Sequence, residues 1–112
     1  MFFKFPEDTA DYSWTRHVKN KMLFYGLSEA KIKGVIRNPK RKEEGVAENT
    51  VAVMRPSAGK KKEEIWAMYT NKSKIKIQKS KLTVISAWRY PGISKPGKMI
   101  PIPEDIREEL GL

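Results

Sequence analysis

The sequence predicts an α+β domain: a short N-terminal strand and two helices, then an antiparallel sheet of three to five strands and a short C-terminal helix. Apolar residues recur with the helical period of about 3.6 before Pro39 and with the strand period of about 2 after it. The length of 112 residues suits a single domain. Four Phe, four Tyr and three Trp supply large apolar side chains that a disordered chain lacks.

A short strand and a first helix are predicted at the N-terminus. The aromatic run Phe2–Phe5 ends at a proline, and we expect it to form an edge strand or a hydrophobic latch. The first helix is expected over Ser13–Tyr25, with Ser13 as its N-cap and Gly26 as a left-handed C-cap residue. Its apolar stripe lies at offsets 0, 4, 8 and 11, which are Trp14, Val18, Met22 and Tyr25.

The second helix is expected over Glu29–Arg37. Ser28 is its N-cap, and Glu29 lies near the positive end of the helix dipole. Asn38-Pro39 ends it, because the residue before a proline is pushed out of the helical region. The short joint between the two helices implies a helical hairpin or a sharp bend.

Strands follow Pro39, separated by turns such as Ser57–Lys62. The segment Glu64–Thr70 is apolar on both faces and is therefore expected to be a central strand. The segment Leu82–Trp88 has the strongest β-propensity of the chain. The predicted strands are Gly45–Arg55, Glu64–Thr70, Lys74–Ile77 and Leu82–Trp88.

A proline-rich tail ends the chain. We assign residues 1–90 to the α+β domain and residues 91–112 to this tail, whose short helix packs on or near the domain. Pro103 suits the start of a helix over Glu104–Leu110, with acidic residues in its first turn. The acidic residues of this helix either fold back over the basic part of the sheet or face solvent.

Most of the positive charge lies in one stretch of the chain. Between Val51 and Ile100 there are twelve Lys or Arg and two Glu, a net charge of +10 that equals that of the whole chain. Such a one-signed field attracts polyanions and speeds their encounter. We therefore expect a nucleic acid as the partner.

Composition also excludes several classes of function. With no Cys and a single His, the chain cannot form a disulfide, a thiolate metal site or a histidine-rich metal site. We predict no metal and no cofactor. No apolar run approaches the roughly 18 residues needed to cross a bilayer, so we expect a soluble, cytoplasmic protein without a membrane partner.

Four short motifs, taken in order, resemble a known family. They are Trp14, Tyr25-Gly26-Leu27-Ser28, Arg37-Asn38-Pro39 and Ile85-Ser86-Ala87-Trp88-Arg89. Their order and spacing over about residues 12–90 resemble the RelE-like toxins of bacterial toxin–antitoxin systems, and most closely their BrnT branch. The resemblance implies a toxin-like RNA-binding protein of a type II system, with RNA (mRNA on the ribosome) as substrate and an acidic antitoxin as protein partner.

The resemblance also implies metal-independent endoribonuclease chemistry, in which the ribose 2′-hydroxyl attacks the adjacent phosphate. This reaction needs a base, an acid and a cation for the developing charge. His17 is the only side chain whose ordinary pKa lies near neutrality. Arg89 closes the strongest strand beside Tyr90 and is placed to grip a phosphate. The candidate catalytic residues are therefore His17, Arg89 and Tyr90.

Lysines of the basic stretch and one tryptophan are candidates for binding RNA. Lys74 and Lys76 share one strand face, and Lys79 and Lys81 join them if a turn or bulge falls near Gln78. Trp88 is a candidate for stacking on a base. The turn adds Lys60, Lys61 and Lys62. Each of these side chains also has a structural interpretation, as a solvated lysine or a core aromatic.

Other functions fit the same residues, and whether the chain is an enzyme stays open. It is either an endoribonuclease, a non-catalytic nucleic-acid-binding module, or an interaction protein that docks an acidic partner through its basic sheet face. Glu63 and Glu64 would point to opposite faces of a strand and so form no carboxylate dyad. One of them remains a candidate proton acceptor.

Overall fold

The computed structural model describes residues 3–47, 49–59, 61–71, 81–96 and 99–112. Three helices and one sheet of five strands occupy these residues, and the predicted α+β class is confirmed. In chain order they are β1 Tyr12–Trp14, α1 Arg16–Tyr25, α2 Glu29–Arg37, β2 Arg41–Glu44, β3 Thr50–Pro56, β4 Glu63–Asn71, β5 Leu82–Pro91 and α3 Glu104–Leu110.

The sheet has the strand order β1-β5-β4-β3-β2. All neighbouring pairs are antiparallel except β1 and β5, so the sheet is mixed rather than wholly antiparallel as predicted. β4 is central, as its two apolar faces predict. The register between β4 and β5 shifts between Met68 and Tyr69, which pair with Ser86 and Val84. Ile85 is therefore the extra residue of a β-bulge.

The N-terminal strand does not lie where the sequence placed it. Phe3 to Phe5 are not in a strand, and β1 is formed by Tyr12–Trp14, parallel to Leu82–Val84 of β5. Tyr12 and Trp14 point into the core, with their rings stacked 5.9 Å apart. Trp14 fits the helical stripe, but with Tyr12 two residues before it, it also fits the period of a strand, and pairing with β5 selects the strand.

The first helix consequently begins three residues later than predicted. The N-cap of α1 is Thr15, whose hydroxyl oxygen accepts a hydrogen bond from the Val18 amide at 3.1 Å. The same hydroxyl donates to the Ile85 carbonyl at 2.9 Å, which ties the start of α1 to β5. Ser13 instead donates to the carboxylate of Asp8 at 3.2 Å.

The joint between the helices and the start of α2 agree with the sequence. Gly26 has a φ of 68°, in the left-handed region that favours glycine, and ends α1. The Ser28 hydroxyl accepts a hydrogen bond from the Lys31 amide at 3.1 Å and caps α2. Both helices pack their apolar sides on one face of the sheet. That core contains Trp14, Val18, Met22, Leu27, Ile32, Val35, Val53, Ile65, Ala67 and Val84.

The C-terminal tail covers the opposite face of the sheet. The rings of Trp66 and Trp88 stack 6.0 Å apart with an interplanar angle of 9°, and both are fully buried. The Trp88 indole donates a hydrogen bond to the Pro101 carbonyl at 2.8 Å. Ile106 of α3 is also fully buried in this second core. The tail is therefore part of the folded domain, because its residues complete the second core.

The predicted strand Lys74–Ile77 lies outside the described residues. Among the residues that the structure describes, no helix is both long and apolar enough to span a bilayer.

We expect Ile106→Ala to lower the free energy of unfolding by about 2–5 kcal/mol, because it leaves a cavity in the second core. Urea denaturation followed by tryptophan fluorescence measures this loss, since Trp66 and Trp88 lie in the same core. Ile93 is 69% exposed, so the matched Ile93→Ala variant should change stability by less than about 0.5 kcal/mol. Equal effects at the two positions would contradict a structural role for the tail.

Candidate nucleic-acid interface

The structure does not bring His17 and Arg89 together. His17 lies in the first turn of α1, whereas Arg89 contacts the other end of that helix. Its Nε donates a hydrogen bond to the Tyr25 carbonyl at 2.6 Å and its Nη2 to the Gly26 carbonyl at 3.1 Å. At 1.5 Å per residue, the helix separates His17 from Tyr25 by about 12 Å. Arg89 thus satisfies carbonyl groups that would otherwise be unpaired at the end of α1.

His17 is held between β5 and α3. Its Nε2 lies 2.9 Å from the hydroxyl of Ser86, and its Nδ1 lies 3.3 Å from a carboxylate oxygen of Glu109. Burial lowers the pKa of His17, and this effect outweighs Glu109, which raises it. Because the carboxylate of Glu109 can only accept, an uncharged imidazole that donates Nδ1–H to it leaves Nε2 to accept from the Ser86 hydroxyl.

The order Ser86, His17, Glu109 has the connectivity of a hydrolytic triad. The nucleophile of such a triad must meet its substrate, but Ser86 is fully buried. The arrangement consequently joins β5, α1 and α3, and it offers no reacting atom to a ligand.

Two acidic residues of α3 continue this contact along α1. The Lys21 ammonium donates to Asp105 at 2.8 Å and also contacts Glu109, while the Tyr25 hydroxyl donates to Asp105 at 3.0 Å. Burial alone would lower the pKa of Lys21, but its hydrogen bonds to the two carboxylates raise it. Asp105 and Glu109 of α3 therefore pair with α1 rather than with the basic half of the sheet.

This contact, which the sequence analysis missed, has a sequence signal. His17, Lys21 and Tyr25 are spaced four residues apart, and so are Asp105 and Glu109. Residues at this spacing lie on one helix face. Two complementary faces of this kind predict a helix pair.

The two candidate aromatic residues differ in exposure. Trp88 is fully buried between the sheet and the tail. It is therefore a core residue with no ring face left for a base, contrary to its proposed RNA contact. Tyr90 is half-buried against the edge of the second core. It points to the face opposite Arg89, as strand alternation requires.

The candidate lysines are divided between the two ends of the sheet. Lys61 and Lys62 are exposed in the turn between β3 and β4. Lys81 is exposed at the start of β5, where its charge helps to lower the pKa of Asp8, after the larger effect of a hydrogen bond from the Trp14 amide. The length of β4 separates these ends by about 27 Å. The remaining candidates, Lys60, Lys74, Lys76 and Lys79, lie outside the described residues.

Two concavities flank the turn between β3 and β4. One, here called the helix-side groove, has a volume of about 600 Å³ and lies between α2 and the end of β3. The other, here called the tail-side pocket, has a volume of about 510 Å³ and lies on the opposite face of the sheet. Pro56 lines both. Together with the turn they form what we call the basic end.

Basic side chains converge at the basic end from α2, β2, β3 and the turn. The helix-side groove is lined by Lys31, Arg37 and Arg55. The tail-side pocket is lined by Lys40, Arg41, Lys61 and Lys62. Only Glu63 and Glu64 contribute carboxylates to the described lining of the two concavities. Sequence analysis found the turn lysines but missed the basic residues contributed by the other elements.

A buried polar cluster lies in the tail-side pocket. Glu64 is 2% exposed and accepts hydrogen bonds from the Trp66 indole at 3.1 Å, the Ser94 amide at 3.1 Å and the Ser94 hydroxyl at 2.6 Å. Arg41 donates to the Ser94 hydroxyl at 2.7 Å, and its guanidinium lies 5.2 Å from the Trp66 ring centre. Three distant segments therefore fix one carboxylate in a concave basic site.

Comparison of the chain with known protein families, curated proteins and solved structures gives no match. The resemblance to RelE-like toxins accordingly rests on its four short motifs alone.

We expect Arg89→Ala to lower the free energy of unfolding by about 1–3 kcal/mol, because two carbonyl groups at the end of α1 lose a charged donor. Arg89→Lys should recover only part of this, since an ammonium cannot reproduce the guanidinium fork. Arg16→Ala removes an exposed arginine from the same helix and should change stability by less than about 0.5 kcal/mol. Urea denaturation compares the three variants, and an unaffected Arg89→Ala would refute the capping role.

We expect stability to fall as the pH is lowered from 7 to about 5. The unfolded chain binds a proton at His17 near its ordinary pKa of 6.5, whereas the folded chain binds it only at lower pH. Unfolding therefore takes up a proton in this window, with a slope of up to about 1.4 kcal/mol per pH unit. His17→Gln should flatten the slope between pH 7 and 5 in chemical denaturation. The same slope in both proteins would contradict the assignment.

Proposed function

We propose that this protein binds single-stranded RNA through its basic end. The observation that carries the proposal is the convergence of seven Lys and Arg side chains on the two concavities that flank the β3–β4 turn. A groove that carries several cations binds a phosphate backbone without regard to sequence and releases its condensed counterions. Concavities of this size suit individual unpaired nucleotides, whereas a duplex keeps its bases stacked and out of reach.

The few carboxylates at the basic end do little to cancel its charge. Glu63 lies 3.8 Å from the guanidinium of Arg89. Glu64 is buried and accepts hydrogen bonds from Ser94 and Trp66. Within the described residues, six of the seven basic side chains pair with no carboxylate: Lys31, Arg37, Lys40, Arg55, Lys61 and Lys62.

The proposal concerns binding and stops short of cleavage. His17 lies about 12 Å along α1 from Tyr25, whose carbonyl Arg89 contacts, and both His17 and Arg89 make contacts within the fold. Endoribonuclease activity and an acidic antitoxin therefore remain predictions from the resemblance. An acidic protein would also be attracted to the basic end, and competition with RNA would reveal it.

We expect the double variant Lys61→Ala, Lys62→Ala to weaken binding of a labelled single-stranded RNA about tenfold near 0.1 M salt. The slope of log affinity against log salt should fall by about 1.4, at roughly 0.7 per phosphate contact on a single strand. Fluorescence polarisation over a salt series measures both quantities.

The matched control is Arg16→Ala, Lys19→Ala, which removes the same charge from the start of α1. This variant should keep most of the affinity and the salt slope. Equal losses in the two double variants would mean that net charge alone drives binding, and the proposed site would be rejected.

Gel analysis of the same RNA tests cleavage, and scission that His17→Ala or Arg89→Ala abolishes would restore the endoribonuclease prediction. Tight binding of a duplex competitor would contradict the choice of single strands.

A further inference from the structure

The tail-side pocket combines apolar walls with a polar floor. Met54, Pro56 and Ile93 contribute apolar surface, and Ile93 is 69% exposed at the rim. The floor carries the carboxylate of Glu64, fixed by Ser94. Ligand sites commonly have this composition, in which apolar walls give contact area and a few fixed polar groups give specificity.

The carboxylate of Glu64 has not used all of its capacity to accept hydrogen bonds. An ionised carboxylate offers about four lone-pair sites. In the described part of the chain, Oε1 accepts from the Trp66 indole and the Ser94 hydroxyl, and Oε2 accepts from the Ser94 amide. One lone pair of Oε2 therefore has no partner in the described part of the chain, and Glu64 is among the residues that line the pocket.

We propose that the tail-side pocket receives one unstacked base of the bound strand and selects a base with an exocyclic amino group over uracil. This inference rests on the proposed function, because the strand must first be held at the basic end. The apolar walls cover the faces of the base, and its amino group donates to Oε2 of Glu64. The adjacent phosphates lie at the rim, near Lys61 and Lys62.

The carboxylate is what gives the pocket its selectivity. Cytosine presents an amino donor at the position where uracil presents a carbonyl oxygen. A carboxylate accepts from the first group and repels the second, while the buried position of Glu64 keeps water from compensating. A well-placed polar contact to a base is worth about 1–3 kcal/mol of discrimination. We therefore expect a preference of about tenfold, which corresponds to about 1.4 kcal/mol.

The same chemistry could come from two sources, a base within an RNA strand or a free nucleotide. Both present an amino-bearing base joined to a phosphate. A strand gains further phosphate contacts at the basic end, so it should bind more tightly and with a steeper dependence on salt.

The test compares labelled oligocytidylate and oligouridylate of equal length at pH 7.5. These strands have the same charge and differ only at the base edge. The wild-type protein should prefer oligocytidylate about tenfold, and Glu64→Gln should bring the ratio close to one. The matched control, Glu44→Gln, removes the same charge from an exposed position of β2 and should keep the preference. Competition by CMP and UMP shows whether a free nucleotide fills the pocket or a strand is required.

Equal binding of the two strands by the wild-type protein would overturn the inference. Unchanged selectivity in Glu64→Gln would overturn it as well. Either outcome leaves the proposed function intact if Lys61→Ala, Lys62→Ala still weakens binding. If circular dichroism shows that Glu64→Gln is unfolded, Ser94→Ala replaces it. That variant removes the hydroxyl that orients the carboxylate and should lower the ratio, and a full preference in a folded Ser94→Ala protein would also count against the inference.

Discussion

The fold depends on one constraint, the burial of a central strand that is apolar on both faces. Along β4, Ile65 and Ala67 point toward the two helices, while Trp66 and Met68 point toward the tail. A strand of this kind needs a cover on each side of the sheet. The helices supply the first cover, and in the described part of the chain Ile100 and Ile106 of the C-terminal tail supply most of the second. The proline-rich tail is therefore part of the domain core, and removing it would expose two tryptophans.

This constraint also explains why the histidine and the acidic residues lie where they do. The burial of Ile106 in the second core holds α3 on the tail side of the sheet. α3 nevertheless contacts α1 beside β5, through Asp105 and Glu109. The seam between the two helices is closed by His17, Lys21 and Tyr25 against Asp105 and Glu109. Acidic residues used at this seam cannot screen charges elsewhere. Asp105 and Glu109 are thus engaged by α1 and not by the described basic side chains of the sheet.

Local signals in the sequence predicted most of the elements but not their partners. Gly26, Ser28 and Pro103 marked helix boundaries correctly, because caps act through neighbouring residues. The start of the fold was misplaced because Trp14 fits both a helical stripe and a strand, and the choice is made by β5, about seventy residues later. The cluster of Arg41, Glu64 and Ser94 has no local signal, since its members come from three separate segments.

The distinction between local sequence signals and tertiary contacts also separates the two functions that the sequence suggested, binding of RNA and its cleavage. Electrostatic binding of a phosphate backbone tolerates imprecise placement, because the field of several cations extends over a Debye length of about 8 Å. Cleavage does not tolerate it, since proton transfer needs groups within hydrogen-bonding reach of the reacting atoms. Strand alternation sends Trp88 to the tail side and Arg89 to the end of α1, which removes both from a shared site with His17. A charged patch could be foreseen from composition, whereas a fixed carboxylate such as Glu64 depends on tertiary contacts, and it is to this carboxylate that we assign the proposed discrimination between bases.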